Sequence, residues 1–236
     1  MLTKSDLASF RQCPRRLWLA KNAPDTADTG DATRWRRARD GAIVGEKARE
    51  LLGLDLVWPQ SLASPSETAR AAAKLLADAP DKPGVEIPLV RDDLSVRADA
   101  LVPTSKGYVL QETKACTFPL KPDKVTPGKP DEHLLDDIAI QMWVLEESPL
   151  QLARAQLNLL NSRWCYPGGG DYRGLFRPLV LEDSIRERVA EVPFWLAEAK
   201  RVLSGHMPEV TTGKQCQDPH TCPFYTHCSG AGPERA

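Results

Sequence analysis

Asp99, Glu112 and Lys114 are the residues of this chain whose types and spacing could do hydrolytic chemistry. If residues 108–115 form a strand, positions 112 and 114 project from the same face, so a carboxylate and an ammonium emerge side by side. Asp99, on a preceding strand of the same hairpin, can bring a second carboxylate to them. Two carboxylates can hold Mg²⁺ or Mn²⁺, which draws charge from a phosphate oxygen and acidifies water. A neighbouring lysine can orient or help deprotonate that water and offset developing negative charge. The Glu-x-Lys pattern recurs at Glu198 and Lys200, but on a helical stretch without a strand partner. The place on a hairpin behind a strand-borne Asp is what separates the first pair from the second; the competing reading is an exposed charged strand face.

A second constellation is made of thiols. Cys216, Cys222 and Cys228 are each separated by five residues, with Pro219 and Pro223 stiffening the turns, and Cys13 stands far upstream. Zinc ribbons place paired cysteines closer than this. Three thiolates need a fourth ligand. Cys13 would complete a 4Fe–4S set, whereas His206, His220 or His227 would complete a Cys₃His zinc site. Structural thiols without metal are a further alternative.

The elements that must position these groups can be read from periodicity. Thr3 and Asp6 resemble a capping box opening a short helix that carries Leu7, Phe10 and Cys13 on one face, which Pro14 interrupts or restarts. A longer helix is expected over Thr33 to Leu52, in which Gly41 and Gly45 suggest close approach by another backbone, and an Ala-rich helix follows Ser64 and Pro65. Three strands are expected near 85–90, 95–102 and 108–115, then a Lys- and Pro-rich loop over 117–131 and a helix from Leu134 to Glu147. Residues 153–159 alternate as a strand, 175–181 suit an edge strand because of Pro178, and Asp183 to Leu203 suits a long helix kinked at Pro193. This order predicts an α/β fold, a mixed sheet flanked by helices, in a single domain over 1–236.

Composition narrows the setting. Apolar content of 42% with 27% charged residues is that of a globular protein, and no run of apolar residues suits a signal peptide or membrane span. A cytoplasmic protein without membrane attachment is expected, in which six cysteines are more useful as metal ligands than as disulfides. A net charge of −1 gives no global attraction to nucleic acid, so binding would rest on local patches. Arg34, Arg36, Arg37 and Arg39 surround Trp35, and Arg11, Arg15 and Arg16 flank Cys13. Such runs could grip the phosphates of single-stranded DNA, with Trp18 or Trp35 as a stacking surface, or could simply be a solvated helix face.

Several longer segments carry a resemblance. LTKSDLASFRQCPRRLWL, VRADALV, LQETKA, LLDDIAIQMWVL and LNLLNSRW, followed by the C-terminal cysteines, are similar in kind and order to the PD-(D/E)XK, RecB-like nucleases. The similarity is greatest to the iron–sulfur branch that includes CRISPR-associated RecB-like exonucleases. The resemblance implies a restriction-endonuclease-like core with a C-terminal cysteine-rich cluster-binding segment, and metal-dependent cleavage of DNA, on single strands or at ends. It implies metal binding by Asp99 and Glu112, catalysis by Lys114, an active-site role for Gln141, and a 4Fe–4S cluster on Cys13, Cys216, Cys222 and Cys228. It also implies a setting in DNA repair or CRISPR adaptation, with protein partners in such a complex. Many relatives carry a metal-binding His four residues after a helix glycine; here Gly45 occupies that position, counted from Gly41, so either Glu46 beside it substitutes or the metal has fewer protein ligands. The alternative function is a nucleic-acid-binding module that does not cleave, stabilised by an iron–sulfur or zinc site.

Overall fold

The computed structural model describes residues 1–28, 32–181 and 185–230, and the side chains of all of these except 32–34. Its first helix forms for the reason read from the sequence. Thr3 caps α1 (Lys4–Gln12) by accepting from Asp6 N, and the Asp6 carboxylate accepts from Thr3 N, which satisfies two end donors at once. Cys13 is extended and ends α1, and Pro14 opens α2 (Pro14–Asn22), so the thiol sits at the joint between two helices. The long helix α3 (Ala32–Glu50) and α4 (Pro65–Asp78, capped by Ser64) follow.

The sheet has six strands, one more than the sequence pattern suggested. β2 (Gly84–Arg91), β3 (Leu94–Thr104) and β4 (Gly107–Thr117) form an antiparallel meander. The unforeseen strand is β1 (Leu2–Thr3), too short to show a period, which pairs parallel with Leu94 and Ser95 of β3. After β4 the chain crosses through α5 (Glu132–Glu146) and returns as β5 (Leu152–Leu160), parallel to β4. β6 (Phe176–Leu181) closes the edge antiparallel to β5, where Pro178 costs no central ladder bond. α6 (Arg186–Ser204) is one helix that continues through Pro193; the start expected at Asp183 lies outside the described residues. A short helix, α7 (Tyr225–Ser229), ends the described chain. The architecture is α/β, a mixed six-stranded sheet flanked by helices.

α5 is buried almost all round, from Ile138 through Leu145, because it lies between the sheet and the pair α1 and α6. Each fully buried Leu or Ile contributes about 2 kcal/mol, and α5 supplies several to the main core. Asp136 on its outer side is held by Arg11 of α1 at 2.9 Å and by Arg188 of α6, which locks the three helices together. A second, small core joins Leu19 of α2 to Cys216, Cys222 and Phe224 of the tail. Among the described residues no helix is long and apolar enough to cross a membrane.

Candidate active site and thiol cavity

The hairpin brings the expected residues together. Asp99 of β3 with Glu112 and Lys114 of β4 line one cleft, whose opposite wall is α3 at Gly41, Ala42, Gly45 and Ala48. Lys114 Nζ lies 2.8 Å from Glu112 Oε1, as the two-residue period of a strand requires. Asp99 accepts a 2.8 Å hydrogen bond from the Thr113 backbone N–H. Gln141 Nε2 donates to Glu112 Oε2 at 2.8 Å from α5, so Gln141 fixes the carboxylate that lies between sheet and helix.

Three further residues belong to this set and were not singled out from the sequence. Lys4, the first residue of α1, places Nζ 2.9 Å from Glu112 Oε1 and 3.2 Å from Asp137 Oδ1. It arrives there because β1 and β4 pair along the same edge of β3, so the chain leaving β1 enters the gap beside Glu112. Asp137 of α5 also binds Lys114. The spacing of Asp137 and Gln141, one helical turn apart, was a legible signal for it; Lys4 had none. Glu86 is the third addition: it lines the cleft and pairs with Arg49 at 3.2 Å. The register on either side, Val85 with Ala100 and Ile87 with Ala98, sets Glu86 level with Asp99, and its φ of 51° is unusual for a strand residue.

Charge in the cleft is nearly balanced. Burial pushes Asp99 and Glu112 above the usual carboxylate range, against the pull of Lys4 and Lys114. Burial also opposes ionisation of Asp137, but the same two ammoniums outweigh it and hold this carboxyl well below the usual range. Lys4 and Lys114 are in turn raised by Glu112 and Asp137, which overcome the burial of the ammoniums. Asp99 has no cationic side chain within ion-pair distance among the described residues. Asp99 and Glu112 line the same cleft, and carboxylate oxygens are hard donors of the kind a divalent cation takes, but among the described residues no group of three His, Cys, Asp or Glu side chains is set here to hold one.

Lys4 is therefore a structural as well as an electrostatic member of the site. Lys4→Met should destabilise the metal-free protein by about 3 kcal/mol, because it leaves two buried carboxylates sharing one ammonium. Urea denaturation in chelator checks this, and unchanged stability would show that Lys4 is a surface cation without structural weight.

Other expectations are met differently. Gly41 and Gly45 do not admit another backbone: a Cβ at Gly41 would meet nothing within 4 Å, and at Gly45 only the Arg49 side chain at 3.5 Å. They border the cleft instead. Glu46 is exposed and does not line it, since one residue along a helix turns the side chain by about 100° away from the Gly45 direction. Arg34 lies among the residues whose side chains are not described. Arg37 comes within electrostatic reach of His220 in the tail, and Trp35 is exposed. Trp18, by contrast, donates from Nε1 to Gly205 O and packs on the small core.

The four cysteines Cys13, Cys216, Cys222 and Cys228 line a single cavity between the α1–α2 joint and the tail. Arg15 and Arg16 line the same cavity, so these arginines face the thiols. Among the described residues no histidine lines it; His220 instead packs edge-on against His133, with ring centroids 5.5 Å apart. Burial raises the Cys222 and Cys228 thiols, and Arg16 and Arg15 respectively act against that shift. The thiols border a space and do not meet at a point, and no three His, Cys, Asp or Glu side chains among the described residues form a ready single-ion site. The tail is also held without them: Gln12 Nε2 donates to Gln215 O at 2.7 Å and His220 O at 2.8 Å, and Asp28 N donates to Pro223 O at 2.6 Å.

No family model matches this chain, and no curated protein matches it. Among solved structures, the crystal structure of SSO0001 is similar over 100% of this chain and 87% of its own, at 14% identity and a TM-score of 0.48.

Proposed function

We propose that this protein is a metal-dependent DNA nuclease of the PD-(D/E)XK, RecB-like type, acting on single strands or ends. In this reading the hairpin and the parallel β5 form a restriction-endonuclease-like core, and the C-terminal tail is an iron–sulfur segment. The observation that carries the proposal is that Asp99, Glu112 and Lys114 line one cleft, with Gln141 holding the far oxygen of Glu112. Mg²⁺ or Mn²⁺ held by Asp99 and Glu112 would neutralise phosphate charge and acidify the attacking water. Lys114 adds positive charge where negative charge develops. Asp137 and Gln141 restrict Lys114 and Glu112 to one arrangement, and Lys4 balances the carboxylates when no cation is present. A divalent cation should then recover part of the stability lost in Lys4→Met.

The four-thiol cavity supports a 4Fe–4S cluster on Cys13, Cys216, Cys222 and Cys228, with Arg15 and Arg16 offsetting its negative charge. A single zinc would need four sulfurs within about 2.3 Å of one point. Protein purified anaerobically should be brown, with broad absorbance near about 400 nm and iron on elemental analysis. One zinc per chain with negligible iron would reject the cluster.

The second reading, a nucleic-acid-binding module that does not cleave, is favoured by one feature: Lys4 and Lys114 already neutralise Glu112. Incubating the anaerobic protein with single-stranded and duplex DNA, in Mn²⁺ and in chelator, separates the two. Cleavage that requires the metal and Lys114 supports the enzyme; retained binding without cleavage supports the module.

A further inference from the structure

The loop between β5 and β6 carries three aromatic rings in mutual contact. Tyr172 stacks on Trp164 with centroids 5.9 Å apart and on Tyr166 at 5.3 Å, with interplanar angles of 25° and 27°. Tyr166 is 52% exposed, so one ring of the stack presents a face to solvent. Hydrogen bonds tie the loop to itself. Asn161 Oδ1 accepts from Arg163 N and its Nδ2 donates to Gly174 O, Trp164 Nε1 donates to Arg173 O, and Tyr166 Oη accepts from Gly170 N. Gly174 has a φ of 84°, and a Cβ there would approach the Trp164 ring at 3.3 Å, so glycine lets the indole lie against the chain.

Its position ties it to the carboxylate cleft. The loop leaves β5 at Leu160, which pairs with Thr117, three residues beyond Lys114. Lys47 of α3, two residues from the cleft-lining Gly45, lies over the Tyr172 ring at 4.7 Å. Arg163 reaches back to the Lys124 carbonyl, and Arg177 lies over Phe118 at 3.9 Å, which adds positive charge to the same rim. Arg173 is neutralised by Asp171 and Lys47 by Glu50 at 2.8 Å, so Arg163 and Arg177 carry the positive charge of this rim. Rings flanked by cations are what unpaired bases on a phosphate backbone require: the rings offer stacking to any base, and the cations meet the phosphates. A duplex offers no free base faces along its length.

We infer that the Tyr166, Tyr172 and Trp164 stack is a base-stacking subsite that holds a single-stranded nucleotide next to the carboxylate cleft. This rests on the nuclease reading for its purpose, though its test does not. The test is fluorescence anisotropy in chelator, with a short oligodeoxythymidylate, an abasic oligonucleotide of the same length, and a duplex. Wild type should prefer the base-bearing strand to the abasic one. Tyr166→Ala should lose that preference, weakening binding to the base-bearing strand roughly 5- to 100-fold with little change for the abasic strand or duplex. Tyr166→Phe keeps the ring while losing the bond from Gly170, and should stay within about twofold of wild type. Equal binding of base-bearing and abasic strands by wild type, or an unchanged affinity in Tyr166→Ala, overturns the subsite even if Lys114-dependent cleavage is found. Base-dependent binding lost in Tyr166→Ala, with no cleavage under any condition, upholds the subsite and rejects the nuclease.

Discussion

Glu112→Gln and Lys114→Ala are each expected to lower Mn²⁺-supported DNA cleavage by about 10³-fold or more while leaving DNA affinity within a few-fold. Glu112 is buried and receives Lys4 and Lys114 on one oxygen and Gln141 on the other. An amide in its place keeps the shape but is a poor ligand for a hard cation, and it must turn its NH₂ either toward the two lysines or toward Gln141. Lys114→Ala removes a charge that matters more in the transition state than in the ground state, so it should change rate more than affinity. DNA affinity should follow the cationic side chains outside the carboxylate set and fall with salt alike in wild type and both variants. Cleavage and binding measured on one substrate, in Mn²⁺ and in chelator, give the comparison, with thermal melts to show that each variant is folded. Wild-type rates in either variant would remove this cleft from the mechanism, and metal-independent cleavage by the unmodified protein would remove the metal.

Loss of the thiol site should be nearly as severe for stability. If the proposed cluster bridges Cys13 to Cys216, it closes a loop of about 200 residues, and by the chain-entropy relation for cross-links such closure would be worth about 5 kcal/mol. That is a large part of what a domain of ordinary stability has. Cys13→Ala and Cys222→Ala should both yield poorly soluble or protease-sensitive protein, with the tail from about residue 205 onward cut first. The hydrogen bonds from Gln12 and Asp28 hold the tail in place but are too few to replace the cross-link. Limited proteolysis beside iron analysis tests this. A well-folded Cys13→Ala protein with full iron content would show that the fourth ligand is another residue.

The chain itself determined its local elements and the core of the candidate site. Thr3 with Asp6, Pro14 and Ser64 with Pro65 mark helix ends through backbone donors that need partners nearby, and these act within a few residues. Glu112 and Lys114 share a face because strand geometry repeats every two residues, so their pairing was legible without a fold. Tertiary structure decided everything that depends on which elements meet. Lys4 enters the site only because a two-residue strand shares an edge of β3 with β4, and two residues carry no period. Glu46 lost its expected place to rotation around α3, while Glu86 gained one from its register with Asp99 and an unusual backbone angle. The sequence offered Cys13 or one of three histidines as the fourth member of the tail's thiol set; packing of α1 and α2 against the tail brought all four thiols to one cavity, and among the described residues no histidine lines it. Side chains far apart in sequence meet through burial of the surfaces between them, and that is a property of the assembled core.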